Sequence, residues 1–454
     1  MANTKVPRVL IVGGGFGGIN AAQALAKLPV KVTLVDRKNH HTFQPLLYQV
    51  ATAGLSPAEI AAPIREVLAR YSNVEAVLGE AIGVDVANRK LLFHGYVADY
   101  DYLVLATGSS HAYFGHNEWQ SFAPGLKTLE DALEIRRRVL LAYELAEREA
   151  FLTGTHMPLN FVVVGAGPTG VELAGTLGEI ARQSMGTEFK HIDPAKTRIL
   201  LVEGGPAVLA SFPPDLQQSA LRQLQKLGVE VRLNAMVTEI REGEIRIGDQ
   251  IMPAAVTLWA AGVSASSLGR ALGVPTDKAG RVLVKPDLSI PGHPEVFVVG
   301  DLASITYDNG KPVPGLAPAA MQEGKYVGRQ IKADLEGKPR TPFKYLDKGT
   351  LATIGRNAAV ANLPGGIHIS GYFAWLAWLF IHIFFLIGFR NRVAVMLDWA
   401  WSYITYKRTA RLITGESEVI SIPTLEHMEE ASAHVAEMEA DDHAGTEIAE
   451  KKRA

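Results

Sequence analysis

A glycine-rich turn that occurs twice constrains the fold of this chain more than any other feature. The first copy lies in residues 8–36, where the apolar run Val9-Leu10-Ile11-Val12 leads into Gly13-Gly14-Gly15-Phe16-Gly17-Gly18 and a second apolar run ends at Asp36. The order strand, glycine turn, helix, strand and acidic residue is typical of a dinucleotide-binding βαβ unit. The turn alone would be weak support, but here all the flanking elements agree.

The residues of this first turn have separate expected tasks. Gly13 permits the tight turn, Gly15 lets the backbone approach a pyrophosphate, and Gly18 lets the helix pack against the sheet. The helix N-terminus presents free N–H groups to phosphates, and Asp36 can accept hydrogen bonds from a ribose diol. The candidate cofactor-binding residues here are Gly13, Gly15, Phe16, Gly17, Gly18, Asp36 and Arg37.

The second copy begins at residue 160. A strand over 161–164 leads into Gly165-Ala166-Gly167-Pro168-Thr169-Gly170, a helix is predicted over 171–182, and a strand over 198–202 is followed by Glu203. Two such units in one chain predict two bound dinucleotides. The candidate residues are Gly165, Gly167, Pro168, Thr169, Gly170 and Glu203.

Glu203 also predicts which nicotinamide nucleotide is bound. A carboxylate at this position accepts a hydrogen bond from the 2′-hydroxyl of NADH and repels the 2′-phosphate of NADPH. The next residues, Gly204-Gly205-Pro206, include no arginine that could neutralise a phosphate. We therefore expect NADH rather than NADPH.

Three other apolar strands end in small or acidic residues. Strands over 100–105, 256–259 and 296–299 are followed by Ala106-Thr107-Gly108, Ala260-Ala261-Gly262 and Gly300-Asp301. Small residues at the carboxyl end of a strand let a cofactor come close. An acid directly after a buried strand can be a turn cap, but in a chain with two dinucleotide units we expect Asp301 to bond the ribityl or phosphate part of a flavin. These strands add Ala106, Thr107, Gly108, Ala261, Gly262, Gly300 and Asp301 to the candidates.

Composition excludes several classes of redox protein. The chain has 454 residues, enough for two or three domains, and its net charge of −2 gives no sign of nucleic-acid binding. It contains no cysteine, which excludes disulfides, cysteine-ligated iron–sulfur clusters and dithiol redox pairs. We therefore expect electron transfer on a bound organic cofactor and no metal site.

No secretory signal is visible, so the N-terminal domain should face the cytoplasm.

Two local predictions concern helices. Ser56-Pro57-Ala58-Glu59 forms a capping box with proline at the first helical position and predicts a helix that runs to about Arg70. The charged stretch 130–150 predicts an amphipathic helix between the domains, with the arginines at 136–138 on its solvated face.

The stretch 371–388 is apolar on all sides apart from His382, and about 18 such residues just reach across a bilayer. A second segment, 393–406, carries Trp and Tyr, and Arg and Lys flank both segments, which is typical of a membrane interface. Either the first segment spans the bilayer or both segments lie in one leaflet as a monotopic platform; a buried soluble core is the third alternative. We favour the platform, because a single crossing would oppose the positive-inside bias.

Taken together, these motifs resemble the two-dinucleotide flavoprotein disulfide-reductase superfamily. Within it, Phe43-Gln44-Pro45-Leu46-Leu47-Tyr48-Gln49-Val50-Ala51, the stretch 345–356 and the Trp-rich tail resemble the type II NADH:quinone oxidoreductases. The likeness covers about residues 7–414. It implies an α/β fold with two Rossmann-like dinucleotide-binding domains and a C-terminal apolar helical membrane-attachment region.

The resemblance implies FAD in the first unit, touching Gly15, Phe16, Gly17, Asp36, Thr107, Gly108 and Asp301, and NADH in the second. We expect an FAD-binding domain at 1–125 and 285–340, an NADH-binding domain at 126–284, a membrane-anchoring region at 341–415 and a polar tail at 416–454. The implied partners are NADH, a quinone and membrane lipid, with the protein peripheral or monotopic at the cytoplasmic face of the cell membrane. A homodimer remains open.

The resemblance also implies three residues for the chemistry. It puts Glu172 near the nicotinamide and flavin, although Thr169-Gly170-Val171-Glu172 also fits a capping box. It puts Gln322 in the quinone region, where relatives often carry two glutamines but this chain has Pro318 in place of the first. Lys348 matches a lysine implicated in the quinone pocket; the alternative is a surface lysine in a polar turn.

The expected reaction transfers a hydride from NADH to FAD and two electrons onward to a membrane quinone. No proton pumping is expected, since no series of polar transmembrane helices is visible. One alternative is a membrane-attached, NADH-sensing flavoprotein with slow turnover, which Pro318 keeps open. Another is an FAD-dependent NAD(P)H reductase with a different acceptor, which would leave the apolar tail unexplained. Disulfide and sulfide oxidoreductases need cysteines that this chain lacks.

Overall fold

The computed structural model describes residues 6–185, 188–307, 310, 312–405 and 407–414, so the tail expected at 416–454 lies outside it. Its α-helices are α1 (Phe16–Leu25), α2 (Leu47–Ala51), α3 (Pro57–Ile60), α4 (Ile64–Leu68), α5 (Leu129–Thr153), α6 (Pro168–Glu179), α7 (Pro214–Lys226), α8 (Ala317–Leu335), α9 (Tyr372–Phe385) and α10 (Phe389–Thr405). Its strands are β1 (Arg8–Val12), β2 (Lys31–Asp36), β3 (His40–Thr42), β4 (Ala61–Pro63), β5 (Val74–Leu78), β6 (Ala81–Asp85), β7 (Lys90–Phe93), β8 (Tyr96–Asp99), β9 (Tyr102–Leu105), β10 (Ser109–His111), β11 (Asn160–Val164), β12 (Arg198–Val202), β13 (Val229–Arg232), β14 (Val237–Arg241), β15 (Glu244–Ile247), β16 (Gln250–Pro253), β17 (Val256–Trp259), β18 (Val263–Ala265), β19 (Val282–Leu283), β20 (Ser289–Ile290), β21 (His293–Val298), β22 (Ala303–Ser304), β23 (Thr350–Gly355), β24 (Ala358–Leu363) and β25 (Ile367–Ser370).

The first glycine turn belongs to a six-stranded sheet with the order β20-β21-β9-β1-β2-β5. Its strands pair in parallel except β20 with β21, and β1 is buried almost throughout. Because β21 lies parallel to β9, and β9 to β1, the three carboxyl ends share one edge. Gly300-Asp301, Ala106-Thr107-Gly108 and the first glycine turn therefore come together as predicted.

The second turn belongs to a parallel four-stranded sheet with the order β13-β12-β11-β17. Strand β11 is fully buried between its neighbours, so its apolar sequence needs no alternation. The second glycine turn, Glu203 and Ala260-Ala261-Gly262 follow β11, β12 and β17 and thus lie along one carboxyl edge. A separate antiparallel sheet, β14-β15-β16, follows β13 in the chain.

A two-stranded ribbon connects the two sheets. Strand β10 begins directly after Gly108 and pairs antiparallel with β18, which begins directly after Gly262. We call the glycine turn of each sheet, together with the small residues at the same carboxyl edge, a cradle. The last small residue of each cradle is therefore followed by a strand of the same ribbon. This pairing brings the carboxyl edges of the two sheets toward each other.

The C-terminal part forms an antiparallel sheet, β23-β24-β25, followed by α9 and α10. Gly175 of α6 faces the carbonyl oxygen of Ile354 in β23 so closely that any Cβ there would overlap it. Among the described residues, no helix combines the length and the apolar character needed to cross a bilayer.

The helix predicted from Ser56 to about Arg70 is interrupted. The capping box of Ser56 and Glu59 is present, but α3 ends at Ile60, and β4 follows and pairs with β3. Pro63 explains the break, because proline removes a backbone donor and disfavours the helical conformation of the residue before it. The helix resumes as α4 at Ile64.

The prediction that the arginines of α5 lie on a solvated face is wrong for Arg136, which is 5% exposed. Its Nη1 donates to the carbonyl oxygen of Ala410 at 3.1 Å. A C-terminal segment 274 residues away covers this side of the helix, which local charge patterning cannot indicate.

We predict that Gly175→Ala destabilises the protein by about 2 kcal/mol, because overpacking outweighs the better helix propensity of alanine. The measurement is thermal unfolding of the purified protein, with Tm expected to fall by about 4 °C. Gly178→Ala is the matched control on the same helix, since a Cβ there would lie 3.0 Å from the Leu227 carbonyl oxygen and needs only a small adjustment. An unchanged or raised Tm for Gly175→Ala would contradict the close contact with β23.

Candidate functional site

The two glycine turns are built in the same way. Gly13 and Gly165 have φ of +105° and +99°, which an L side chain rarely adopts. Gly18 and Gly170 face the carbonyl oxygens of Gly13 and Gly165, and any Cβ on either would overlap that oxygen. The third glycine of each turn is thus required by the turn itself as well as by the packing of helix on sheet that the sequence predicted.

The acidic residue at the end of each unit accepts a hydrogen bond from the glycine turn of the same unit. Asp36 Oδ2 accepts from the backbone N–H of Gly14 at 2.5 Å, and Glu203 Oε2 accepts from that of Ala166 at 2.7 Å. The other oxygen of each carboxylate accepts the N–H two residues further along the chain. A carboxylate has about four lone-pair sites, so both acids can still accept hydrogen bonds from ribose hydroxyls.

Open space surrounds the residues expected to approach a cofactor. A Cβ added at Gly15, Gly108 or Gly167 would meet no other atom within 4 Å. Thr107 Oγ1 is buried and makes no hydrogen bond within the described residues, which fits a hydroxyl that bonds a bound group. Both cradles thus fit dinucleotides on open backbone, and the first also offers an unpaired polar atom.

The other predicted cradle residues complete this edge. The Phe16 ring lies 5.0 Å from that of His41, and Gly17 packs on Val299. Pro168 is the first residue of α6, with Thr169 next to it. Ala106 contacts Gly13, Ala261 contacts Gly165, and Gly262 contacts Phe114. Arg37 lies apart and is exposed, with Nη1 4.0 Å from Glu80 Oε1.

Asp301 is the centre of a polar cluster. Its Oδ2 accepts from Ser109 Oγ at 2.7 Å and from Lys127 Nζ at 3.3 Å. Gly300 donates its backbone N–H to Glu323, whose pKa is raised to about 7 by burial and further by the charge of Asp301. Sequence reasoning missed Ser109, Lys127 and Glu323, because each is distant in sequence from Asp301.

Glu172 lies in the second turn of α6, since the helix begins at Pro168 with Gly167 as its N-cap. The capping-box interpretation of Glu172 is therefore wrong, because proline at the first position starts the helix earlier. Desolvation by burial raises the pKa of Glu172 to about 8, against a hydrogen bond from the Thr353 backbone. The carboxyl is thus mainly neutral at pH 7.

A hydrogen-bonded series beside Glu172 joins the first unit to α10. Trp399 Nε1 donates to Gln49 Oε1 at 2.7 Å, and Gln49 Nε2 donates to the Tyr48 hydroxyl at 2.9 Å. Burial raises the pKa of Tyr48 well above its usual value, and the charge of Glu172 raises it further. The sequence marked 43–51 only by family likeness and indicated no contact with α10.

A cavity of about 120 Å³ lies where α6, β23 and the C-terminal helices meet. An ion pair lines it, with Arg408 Nη2 3.2 Å from Glu179 Oε2, and Arg408 Nη1 also donates to the Thr52 carbonyl oxygen at 3.1 Å. Burial raises the pKa of Glu179, and Arg408 opposes that rise. The partners are 229 residues apart, so no sequence signal connects them. The apolar part of the lining includes Trp375, Trp378 and Trp399.

Gln322 and Lys348 are connected through one loop. Gln322 Nε2 donates to the carbonyl oxygen of Leu346 at 3.0 Å, and its Oε1 accepts from the Leu346 N–H at 2.9 Å. Nε2 also lies 3.2 Å from the carbonyl oxygen of Pro318. Lys348, exposed two residues beyond Leu346, places Nζ 5.5 Å from the ring centre of Phe385. Gln322 thus holds the loop that carries Lys348 against the end of α9.

Known proteins match nearly the whole chain. The profile of the family described as pyridine nucleotide-disulphide oxidoreductase matches residues 7–324, and that of the NDH2 C-terminal domain matches residues 348–407. The type II NADH:quinone oxidoreductase Ndh of Mycobacterium tuberculosis is 45% identical over 442 residues, which cover 94% of each chain. The type II NADH:quinone oxidoreductase NdhA of the same organism is 42% identical over 460 residues, covering 97% of each.

Solved structures confirm the fold. The structure of NDH2 from Plasmodium falciparum in complex with NADH covers 90% of this chain and 100% of that chain, with a TM-score of 0.81 and 20% identity. The α/β architecture with two Rossmann-like units, expected from the sequence, is therefore that of the pyridine nucleotide-disulphide oxidoreductases.

The raised pKa of Glu172 predicts a pH-dependent loss of stability. The stability that the protonated Glu172 carboxyl adds to the folded state is fully present below the ordinary pKa of 4.5. It is lost as the pH rises through about 8. Glu172→Gln cannot ionise, so its Tm relative to that of the unaltered protein should rise between pH 5 and pH 9. The measurement is thermal unfolding across that range, with the exposed Glu144→Gln as control. Parallel Tm curves for Glu172→Gln and the unaltered protein would show that the pKa of Glu172 is not raised.

Proposed function

The chain belongs to the type II NADH:quinone oxidoreductases, and from this premise we propose how its residues move two electrons from NADH to a quinone. FAD is the bound cofactor of this reaction and NADH the electron donor. The observation that carries the proposal is the β10–β18 ribbon, because it joins the carboxyl edges of the two sheets at which dinucleotides bind.

The first unit, with residues 1–125 and 285–340, is proposed to hold FAD. Gly15 and Gly108 leave the backbone open, and Asp36 can accept from the adenosine ribose. The Thr107 hydroxyl, which has no partner within the described part of the chain, can bond the flavin part. Asp301 has a lone pair left for the ribityl or phosphate part. The chemistry that FAD supplies when bound is acceptance of a hydride and onward transfer of two electrons.

The second unit, residues 126–284, is proposed to hold NADH. The N-terminus of α6 offers its free N–H groups to the pyrophosphate, and Glu203 can accept from both ribose hydroxyls of the adenosine. The nicotinamide then extends along the edge toward Gly262 and the first unit. By holding the nucleotide in this position, the protein sets the geometry for hydride transfer, and this is its chief contribution to the reaction.

Glu172 is proposed to hold a proton where the two units and β23 meet. Reduction of a quinone to a quinol takes up two protons, whereas NADH delivers a single hydride, so one further proton must come from the protein or water. A neutral carboxyl with a pKa of about 8 can donate a hydrogen bond at pH 7 and can release that proton. Tyr48, buried beside it, keeps this region screened from water.

Gln322 and Lys348 are proposed to form one wall of the quinone entrance. The amide of Gln322 is engaged by Leu346, so its first task is to fix the loop that presents the Lys348 ammonium. Pro318 replaces the first family glutamine, so only its backbone carbonyl oxygen is available to Gln322 at this position. The entrance would then lie beside this loop, next to the end of α9.

Residues 341–415 are proposed to attach the enzyme to the cytoplasmic face of the membrane as a monotopic platform. Many of the outward side chains of α9 and α10 are large and apolar, and they include Phe373, Phe380, Phe384, Phe389, Leu397, Trp401 and Ile404. Large apolar side chains exposed in such number on two neighbouring helices mark an interaction surface, and neighbouring Arg and Lys suit an anionic lipid surface.

The function predicts a preference for NADH in steady-state assays with a soluble quinone. We expect kcat/KM for NADH to exceed that for NADPH by about a hundredfold, and Glu203→Gln to reduce this ratio about tenfold, because the amide no longer repels a 2′-phosphate. Glu230→Gln on the neighbouring strand is the control, since Glu230 pairs with Arg198 on the surface. Equal use of both nucleotides by the unaltered enzyme would refute the assignment of Glu203.

The platform predicts that two outward phenylalanines of α9 contribute to lipid binding. Phe380 and Phe384 are 69% and 59% exposed, so replacing both with serine should weaken binding by about 3 kcal/mol, roughly a hundredfold. The measurement is flotation with vesicles of phosphatidylcholine and phosphatidylglycerol. Phe151→Ser, at an equally exposed site on α5, should float normally. Normal flotation of the double variant would contradict this face as the attachment site.

A further inference from the structure

We infer that Phe114 is a further NADH-binding residue, which covers the nicotinamide riboside half of the dinucleotide. The inference rests on the proposed binding of NADH by the second unit. Phe114 lies in the segment between β10 and α5, outside both glycine turns and outside every motif that the sequence indicated.

The backbone at Phe114 is unusual. Its φ is +52°, and Gly115 follows with a φ of +101°. A bulky residue at positive φ is a genuine outlier, and such strain persists where it serves a function. Tyr113, one residue earlier, is buried and stacks on Trp259 at 5.2 Å. The chain thus turns sharply after Tyr113, and the Phe114 side chain is left 70% exposed.

The exposed ring rests on Gly262. A Cβ added at Gly262 would lie 2.7 Å from Phe114 Cζ, so only glycine lets the ring approach this closely. The support beneath is rigid, because Trp259 Nε1 donates to the carbonyl oxygen of Ala112 at 2.9 Å. Phe114 therefore has a fixed position at the carboxyl end of β17, with most of its ring free.

The order of the strands decides which half of the nucleotide meets this ring. Glu203 ends β12 on one side of β11, and Gly262 follows β17 on the other. With the adenosine ribose at Glu203 and the pyrophosphate at the second glycine turn, the nicotinamide riboside must extend over β17. A flat aromatic face at that point can stack on the nicotinamide or cover the apolar side of its ribose.

The test is calorimetric titration of the FAD-loaded full chain with NAD⁺ and, separately, with ADP, which lacks the nicotinamide riboside. Phe114→Ala should raise the Kd of NAD⁺ about tenfold and leave that of ADP within twofold. Phe114→Trp keeps an aromatic face and should stay within threefold for NAD⁺. In steady state, Phe114→Ala should lower kcat/KM for NADH mainly through KM.

Phe151→Ala is the matched control, because Phe151 is 66% exposed but lies at the end of α5. It should bind both ligands normally. An unchanged Kd of NAD⁺ for Phe114→Ala would overturn the inference, and so would an equal weakening of NAD⁺ and ADP, which indicates distortion of the whole site. Failure of the unaltered enzyme to bind either ligand would instead refute the proposed nucleotide site itself.

Discussion

The contact between Gly175 and Ile354 is the constraint on which the rest of the site depends. Without a side chain at Gly175, α6 lies directly on β23, and the helix that begins at the second glycine turn is covered by the C-terminal sheet. Glu172, one turn earlier, loses much of its water and meets the Thr353 backbone. Glu179, one turn later, is reached by Arg408. One glycine thus places a helix of the second unit, a neutral acid and the C-terminal region in a single arrangement.

Residues 407–414, at the end of the described chain, make further hydrogen bonds to the elements around Glu179. Ala410 donates its N–H to the carbonyl oxygen of Ala53 in the first unit, and its own carbonyl oxygen accepts from Arg136 of α5. Arg408 joins Thr52 to Glu179. Residues 407–414 therefore bind the loop after α2, helix α5 and helix α6, and each of these bonds satisfies a polar group that burial would otherwise leave unpaired.

Short-range patterns predicted the cradles well and the junction between them poorly. The turn at Gly13, its partner acid Asp36 and the equivalent second unit are set within about 40 residues by glycine geometry and strand pairing. The contacts of Glu172 and the burial of Arg136 depend on segments far away in the chain, for which a single sequence carries no signal. The capping-box interpretation of Glu172 failed for a local reason, since Pro168 starts the helix before the predicted cap.

Aromatic side chains connect the first cradle to the C-terminal helices. The ring of Phe16, directly after Gly15, lies 5.8 Å from that of Phe43, which lies 6.2 Å from that of His382. His382 stacks on Trp378 at 4.2 Å, and burial lowers its pKa to about 4, so the series is uncharged at pH 7. Edge-to-face and stacked rings resist rearrangement. One continuous series of rings therefore runs from the first glycine turn to α9 and fixes the C-terminal helices relative to the first sheet.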